Sequence, residues 1–513
     1  MLPNASGKRR TAWRRGPSDL LRRVAFLGAV LAPAVLGAQS SGATASTPRR
    51  ERAAATLPLV PCRVAGIEAE VRCGTLEVFE NRATREGRRL HLSIVVLPAR
   101  APEPAPDPVF FVAGGPGQSA TALADRWWSS PHRDQREIVF VDLRGTAGSH
   151  ALDCPLSGSD DDLQGYFDAI FQVPLFEACH RTLEQRADLR WYTTEAAMDD
   201  LDDARAALGY ERINLVGNSY GTRAILVYAR RHTARVRSAM LTGVVPLAFR
   251  NPLHHARAAQ QALDRLLAAC NREALCRAAY PELRQELDAV VRRLDREPVR
   301  VTIRHPTTGA PATIRLSRTA FAEALRVMMY DTERARRVPL LIHRASQGDL
   351  VPFAELGLAS NRGLRGGLRV GLLMSVVCTE DASRIREADI VREARGTLLG
   401  DSRVREQIAA CRVWPRGELS PDHASPVAVP VPMLLITGSL DPVTPPEWGE
   451  EAARHLPEGV HLVVPGGHAP RSACQDSIAV RFLERGSVAG LDARCARSLE
   501  LPPFVVPTNS GGR

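Results

Sequence analysis

The stretch INLVGNSYGTRAILVYARR, residues 213–231, joins two kinds of apolar pattern across one tight turn. Ile213–Val216 is too short a run for a helix and predicts a buried strand, whereas Gly221–Arg231 predicts a buried helix. Between them Gly217, Ser219 and Gly221 form G-x-S-x-G. Small residues two before and two after the serine allow a sharp strand-to-helix turn that leaves the hydroxyl exposed. In a chain with 38 glycines the pentapeptide alone is weak. An inert serine in a Gly-rich turn is the plain alternative, and the strand-turn-helix setting makes Ser219 a candidate nucleophile.

Working outward, 74–80 and 90–97 read as β-type runs, and 108–112 and 137–142 as short buried strands ending in Gly-rich or charged turns. A helical stretch covers 195–208, and 238–244 reads as another strand. Strand and helix alternate through 105–248, the mark of a parallel α/β sheet. The pattern turns helical over 251–297, allows a small hairpin at 298–316, and is helical again over 318–411. The Pro-rich 415–432 reads as a linker, before strand patterns return at 433–437 and 461–464 with a helix near 448–455. The expected fold class is α/β, a doubly wound, mostly parallel sheet with an inserted helical cap. The boundaries are 59–249 and 426–500 for the core, 250–425 for the insertion and 501–513 for a tail.

A serine nucleophile needs a base, and the base needs an orienting acid. Asp441, in GSLDP (438–442), and His468, in GGH (466–468), each follow a predicted strand, where a parallel sheet presents its functional loops. His461 falls inside a strand, His455 ends a helix, and Asp476 comes after the histidine, so they are poorer candidates. The Gly-rich loop after the 108–112 strand can bring backbone N–H groups to a developing oxyanion. Gly115 is the expected donor there, with Tyr220, next to the nucleophile, as the second. No Lys-Ser/Thr follows this loop and Pro116 lacks a donor, which argues against a phosphate loop.

GGPGQS (114–119), DLRGTAGS (142–149), GNSYGT (217–222), GSLDPVTP (438–445) and GGH (466–468) occur in that order. Together they resemble the secreted tripeptidyl aminopeptidase branch of the proline iminopeptidase-like α/β-hydrolases, over about residues 60–497. The resemblance extends to Cys62 with Cys73 and to the Cys474/Cys495 pair. It implies release of residues or tripeptides from peptides with a free N-terminus, entering under a cap. Two positions depart from the family pattern. Ala113 stands where a histidine is usual, which weakens transfer of single-residue proline specificity. Ala147 replaces a glycine and is tolerable only if its φ stays negative. The insertion's Glu380, with Asp381, is the candidate anchor for the substrate's α-ammonium, against a reading as solvated acids beside a disulfide. The acidic run Asp199, Asp200, Asp202 and Asp203 reads as a solvated helix face. Trp127-Trp128 fits either a pocket wall or core packing.

Of a formal net charge of +10, the first 38 residues hold about +6, in Lys8, Arg9, Arg10, Arg14, Arg15, Arg22 and Arg23 against Asp19. The remaining +4 argues against a nucleic-acid surface. The basic stretch followed by apolar Val24–Ala38 reads as an export signal (1–38), with a Ser/Thr/Ala/Arg-rich leader at 39–58. A short membrane anchor is the alternative to the signal. All ten cysteines lie after residue 60 with no CxxC pair, which suits disulfides in a secreted or periplasmic protein over a metal site. Sequential pairing is the simplest of many connectivities. No stable membrane insertion after processing and no cofactor are expected. The functional readings are a serine aminopeptidase, an esterase or amidase of small non-peptide molecules, and an inactive binding protein on the same fold.

Overall fold

The fold is taken from a computed structural model that describes residues 57–507. The expected export signal and the leader up to residue 56 lie outside the described residues. Among the described residues the strands are β1 (Val60–Cys62), β2 (Val71–Asn81), β3 (Glu86–Leu97), β4 (Val109–Val112), β5 (Ile138–Val141), β6 (Ile213–Asn218), β7 (Val236–Thr242), β8 (Val299–Arg304), β9 (Pro311–Leu316), β10 (Met433–Gly438) and β11 (Gly459–Val464). Nine form one sheet in the order β1-β2-β3-β5-β4-β6-β7-β10-β11, and β8 and β9 form the expected hairpin. Pairs from β1 to β5 are antiparallel. From β5 across to β11 every pair is parallel.

The central strands are apolar on both faces because both are covered. Phe110, Val112, Val139 and Leu215 face a layer that includes helices Thr194–Ala207 and Tyr220–Arg231. Their neighbours Phe111, Phe140, Val216 and Ile436 face Trp127 and helix Ala473–Arg485. This period-2 division is the strand geometry that the apolar runs encode. Trp127 is therefore mainly core, tilted against Phe111 at 4.9 Å, and Trp128 lies under the Arg133 guanidinium.

Most of the chain between β7 and β10 builds a second apolar core, with Leu266, Leu287, Phe321 and Phe353 at its centre. Helix Val370–Glu380 departs from this, and all eleven of its residues are buried. Leu372, Met374 and Val376 join the core beneath the sheet instead. A helix buried on every side, with Ser375, Thr379 and Glu380 among its residues, lies inside the protein, so the insertion is rooted in the sheet domain. At the other end, 501–507 is not a loose tail: Phe504 is buried, and the Val505 carbonyl accepts from Tyr280 Oη at 2.8 Å.

The acidic run is a solvated face only at Asp203. Asp200 is fully buried and accepts from Arg144 Nε (2.7 Å), Arg144 Nη2 (2.9 Å) and Arg82 Nη1 (2.6 Å). Asp202 accepts from Tyr228 Oη, and Asp199 pairs with Arg231. Two of these partners lie on helix Tyr220–Arg231, so the carboxylates line an ion-pair seam. Cysteines pair in sequence: 62–73, 154–179, 270–276, 378–411 and 474–495. Among the described residues no helix is long and apolar enough to cross a membrane.

Candidate active site

Ser219 stands at the junction of β6 and helix Tyr220–Arg231 with φ 55° and ψ −127°. A non-glycine residue in that region is strained and persists only where its surroundings over-determine it. Here they do. Ser219 N–H donates to the Thr242 carbonyl on β7 (2.9 Å), and its own carbonyl accepts from Thr222 N (2.9 Å) and Thr222 Oγ1 (2.6 Å). A Cβ on Gly221 would sit 2.2 Å from the Val112 carbonyl oxygen, so only glycine lets β4 and the helix approach this closely.

The loop after β4 lies against the serine. A Cβ on Gly114 would meet Ser219 Cβ at 3.3 Å, and Gly115 adopts φ +114°. Asp142, at the end of β5, fastens this loop by accepting from Ser119 Oγ (2.8 Å), Thr121 N (3.1 Å) and Thr121 Oγ1 (2.5 Å). Ala147 keeps a negative φ of −146°, so the missing glycine carries no backbone strain.

Beyond β10, Asp441 is fully buried. Its Oδ1 accepts from Val443 N and Thr444 N, both at 2.8 Å. Its Oδ2 accepts from Thr444 Oγ1 (2.8 Å) and His468 Nδ1 (2.7 Å). Burial alone would raise this carboxyl, but the facing His468 and these hydrogen bonds hold it below its ordinary value. An ionised carboxylate only accepts, so His468 Nδ1 carries the hydrogen of this bond and the ring is turned with Nε2 away from Asp441. His468 itself hangs on the insertion. Its N–H donates to the Tyr330 carbonyl (2.8 Å), its ring packs edge-on against Tyr330 (5.1 Å), and Gly467 N–H donates to Thr332 Oγ1 (3.0 Å).

Ser219, His468, Gly115 and Tyr220 border one cavity of about 170 Å³, roofed by insertion residues such as Leu364, Leu368 and Tyr330. Asp381 lines it too, with its carboxylate bonded to Arg223 Nη1 (2.9 Å) and Arg384 Nη2 (2.8 Å). Glu380 does not. It borders a separate small cavity and accepts from Thr194 N (2.7 Å) and Thr194 Oγ1 (2.9 Å). Burial pushes its carboxyl up to about 7, against the pull of Arg223 and the Thr194 bonds. Thr194 Oγ1 also meets Tyr220 Oη at 2.8 Å, which ties Glu380 to the residue beside Ser219. Among the described residues no cluster of three or more His, Cys, Asp or Glu is placed to hold a metal ion.

Sequence reasoning passed over Thr444, Asp142, Tyr330 and Thr332. Thr444 had a local signal, since Asp-x-x-Thr is the spacing of a carboxylate capping its own turn. Asp142 stood inside a motif without a role. Tyr330 and Thr332 carry no signal, because their partner is distant in sequence.

A family model described as alpha/beta hydrolase fold matches residues 107–289, and one described as TAP-like protein matches 397–495. The chain is an α/β-hydrolase of the TAP-like branch. Among curated proteins it is 24% identical over 493 residues to the serine protease Hip1 of Mycobacterium tuberculosis, covering 85% of this chain and 90% of that protein. It is 28% identical over 196 residues to the putative hydrolase YuaR of Escherichia coli, covering 36% and 38%. Among solved structures, a proline iminopeptidase from Mycobacterium smegmatis matches with a TM-score of 0.39 and 16% identity, covering 81% of this chain and 99% of that one. At that score the likeness adds nothing to what the chain's own geometry gives.

Proposed function

We propose that this TAP-like hydrolase is an exported serine peptidase that acts on short peptides with a free N-terminus. The observation that carries the reading is the Asp441–His468 pair, with its proton on Nδ1, facing the same cavity as a serine on a strained elbow. Ser219 Oγ attacks the scissile carbonyl while His468 Nε2 takes the proton and later returns it to the leaving amine. Asp441 holds the tautomer and stabilises the imidazolium. Gly115 and Tyr220 N–H groups stabilise the oxyanion, and water resolves the acyl-enzyme. The small size of the cavity, about 170 Å³, favours a chain end over a polypeptide loop. Of the two acids, Asp381 is the one that reaches the cavity, and the ammonium contact is assigned to it, with the buried, unpartnered Asn251 Oδ1 as a second acceptor. Glu380 supports the site through Thr194 and Tyr220. Five disulfides favour an oxidising compartment.

A second reading, an esterase or amidase of small molecules, is favoured by one observation: Arg223, Arg326 and Arg403 line the cavity against the single carboxylate of Asp381. The test compares the mature protein with Ser219→Ala on a chromogenic tripeptidyl amide, its N-acetyl derivative and a short acyl ester. The expected result is turnover of the free-amine compound, lowered by at least about 10⁴-fold in the variant. Equal turnover of the acetylated compound, or of the ester alone, would overturn the aminopeptidase reading and leave the serine hydrolase.

A further inference from the structure

The cationic lining calls for an explanation of its own. Arg223 shares Asp381 with Arg384 and stands 3.8 Å from Glu380. Arg326 and Arg403 share one acid, Glu323: Arg326 Nε donates to its Oε2 at 2.9 Å, and Arg403 Nη1 stands 3.6 Å from its Oε1. Glu323 and the nearby Glu406 face a different cavity, of about 50 Å³, on the far side of the two arginines. On the Ser219 side their neighbours are uncharged. Arg326 Nη1 donates to Tyr330 Oη (2.8 Å), and Arg403 Nε donates to His255 Nδ1 (3.2 Å). Burial, with Arg403 and Arg326, pushes His255 well below its ordinary value, so it stays neutral as that acceptor requires. The wall is thus polar in one sense, with guanidiniums toward the reacting serine and carboxylates behind. Arg326 holds Glu323 through both Nε and Nη2, whereas Arg403 stands 3.6 Å from the nearest carboxylate oxygen, so Arg403 is the guanidinium poorly compensated for its lost hydration. An anionic group entering from the Ser219 side would complete it, and a guanidinium matches a carboxylate in shape and charge.

We propose that Arg403, with Arg326, is a specificity-determining cation that selects substrates carrying a carboxylate side chain on the acyl side of the scissile bond. The proposal rests on the reading of Ser219 as the nucleophile beneath the insertion. For peptides it means an acidic residue among the first three, whose side chain reaches Arg403 while the ammonium meets Asp381.

The test uses tripeptidyl chromogenic amides in Glu/Gln pairs at each of the three positions, on the mature protein. At one position Glu should exceed Gln by about tenfold or more in kcat/KM, the range of a charge-assisted hydrogen bond. Arg403→Gln should bring that ratio close to one with the Gln compound still turned over, and Arg403→Lys should keep part of it. Absence of any Glu preference in the native chain, or a preference that Arg403→Gln and Arg326→Gln both leave intact, overturns the proposal. Calorimetric binding of the same tripeptides as simple amides to Ser219→Ala separates the two readings. Tighter binding of the Glu form, lost in Ser219→Ala/Arg403→Gln, sustains the cationic subsite even where no compound is turned over. Equal binding of both forms rejects it whatever the turnover.

Discussion

Ser219 and His468 open into one cavity but are positioned by opposite means. Ser219 is set by its own sequence neighbourhood and the adjoining strands: the turn it occupies, Thr222 on the following helix, Thr242 on β7 and the close passage of Gly221 past β4. The histidine loop is set from across the chain. Gly467 is held by Thr332, 135 residues away, and His468 N–H by the Tyr330 carbonyl. The insertion is thus more than a roof over the serine, since it also holds the loop that carries His468. A strand-end loop supplies the right side chain, and tertiary packing supplies its aim.

The largest effect is expected where these two modes meet, at the carboxylate behind the histidine. Asp441→Asn should keep the fold and lower kcat by about 10⁴, because an amide stabilises the wrong imidazole tautomer and no longer supports the cation. Steady-state kinetics of the purified variant checks this. The same substitution has a pH signature. Asp441 is held below its ordinary value of 3.8, so the folded state binds this proton less readily than the unfolded one. Its contribution is present above the unfolded value and is lost as the pH falls through the folded one. The stability gap between the native chain and Asp441→Asn should therefore narrow as urea midpoints are compared from about pH 6 down to about pH 3.

The serine side should fail through the backbone rather than through protonation. Gly221→Ala would place a methyl 2.2 Å from the Val112 carbonyl and 2.9 Å from that of Ala113. Both contacts are main chain in or just after a fully buried strand, so β4 or the helix must move. A loss of about 1–3 kcal/mol in unfolding free energy is expected, with lower kcat from a displaced elbow. An unchanged urea midpoint would show that the elbow is looser than its contacts imply.

This contrast also explains what was legible in the sequence. The elbow, the Gly-rich loop and the two strand-end loops were readable because each lies beside a short apolar run that only a buried strand explains. The sheet and the helical insertion followed from the change of period. The acidic run Asp199–Asp203 was misread because charge pattern along one helix does not reveal arginines supplied by β2–β3, the DLRG loop and a second helix. Val370–Glu380 counted as cap because its place in the chain is in the insertion, although its apolar residues from Val370 to Cys378 belong to the sheet's core. Arg326, Arg403 and Tyr330 were beyond reach for a simpler reason. They become neighbours of the site only when the insertion folds back over it.

The smallest effect tests that last point most directly. Thr332→Val removes the acceptor of the buried Gly467 N–H with little change in shape. If the insertion aims the histidine, the freed loop lets His468 drift from the serine. kcat should fall by about tenfold, equivalent to about 1.4 kcal/mol, with KM unchanged. Thr332→Ser restores the acceptor and should restore kcat. An insertion that merely covers the site would give another pattern, in which thermal stability drops by the few degrees that an unsatisfied donor commands while kcat holds. Measuring kcat and Tm on the same two variants separates aim from cover, because only the first requires the hydroxyl oxygen to move the rate.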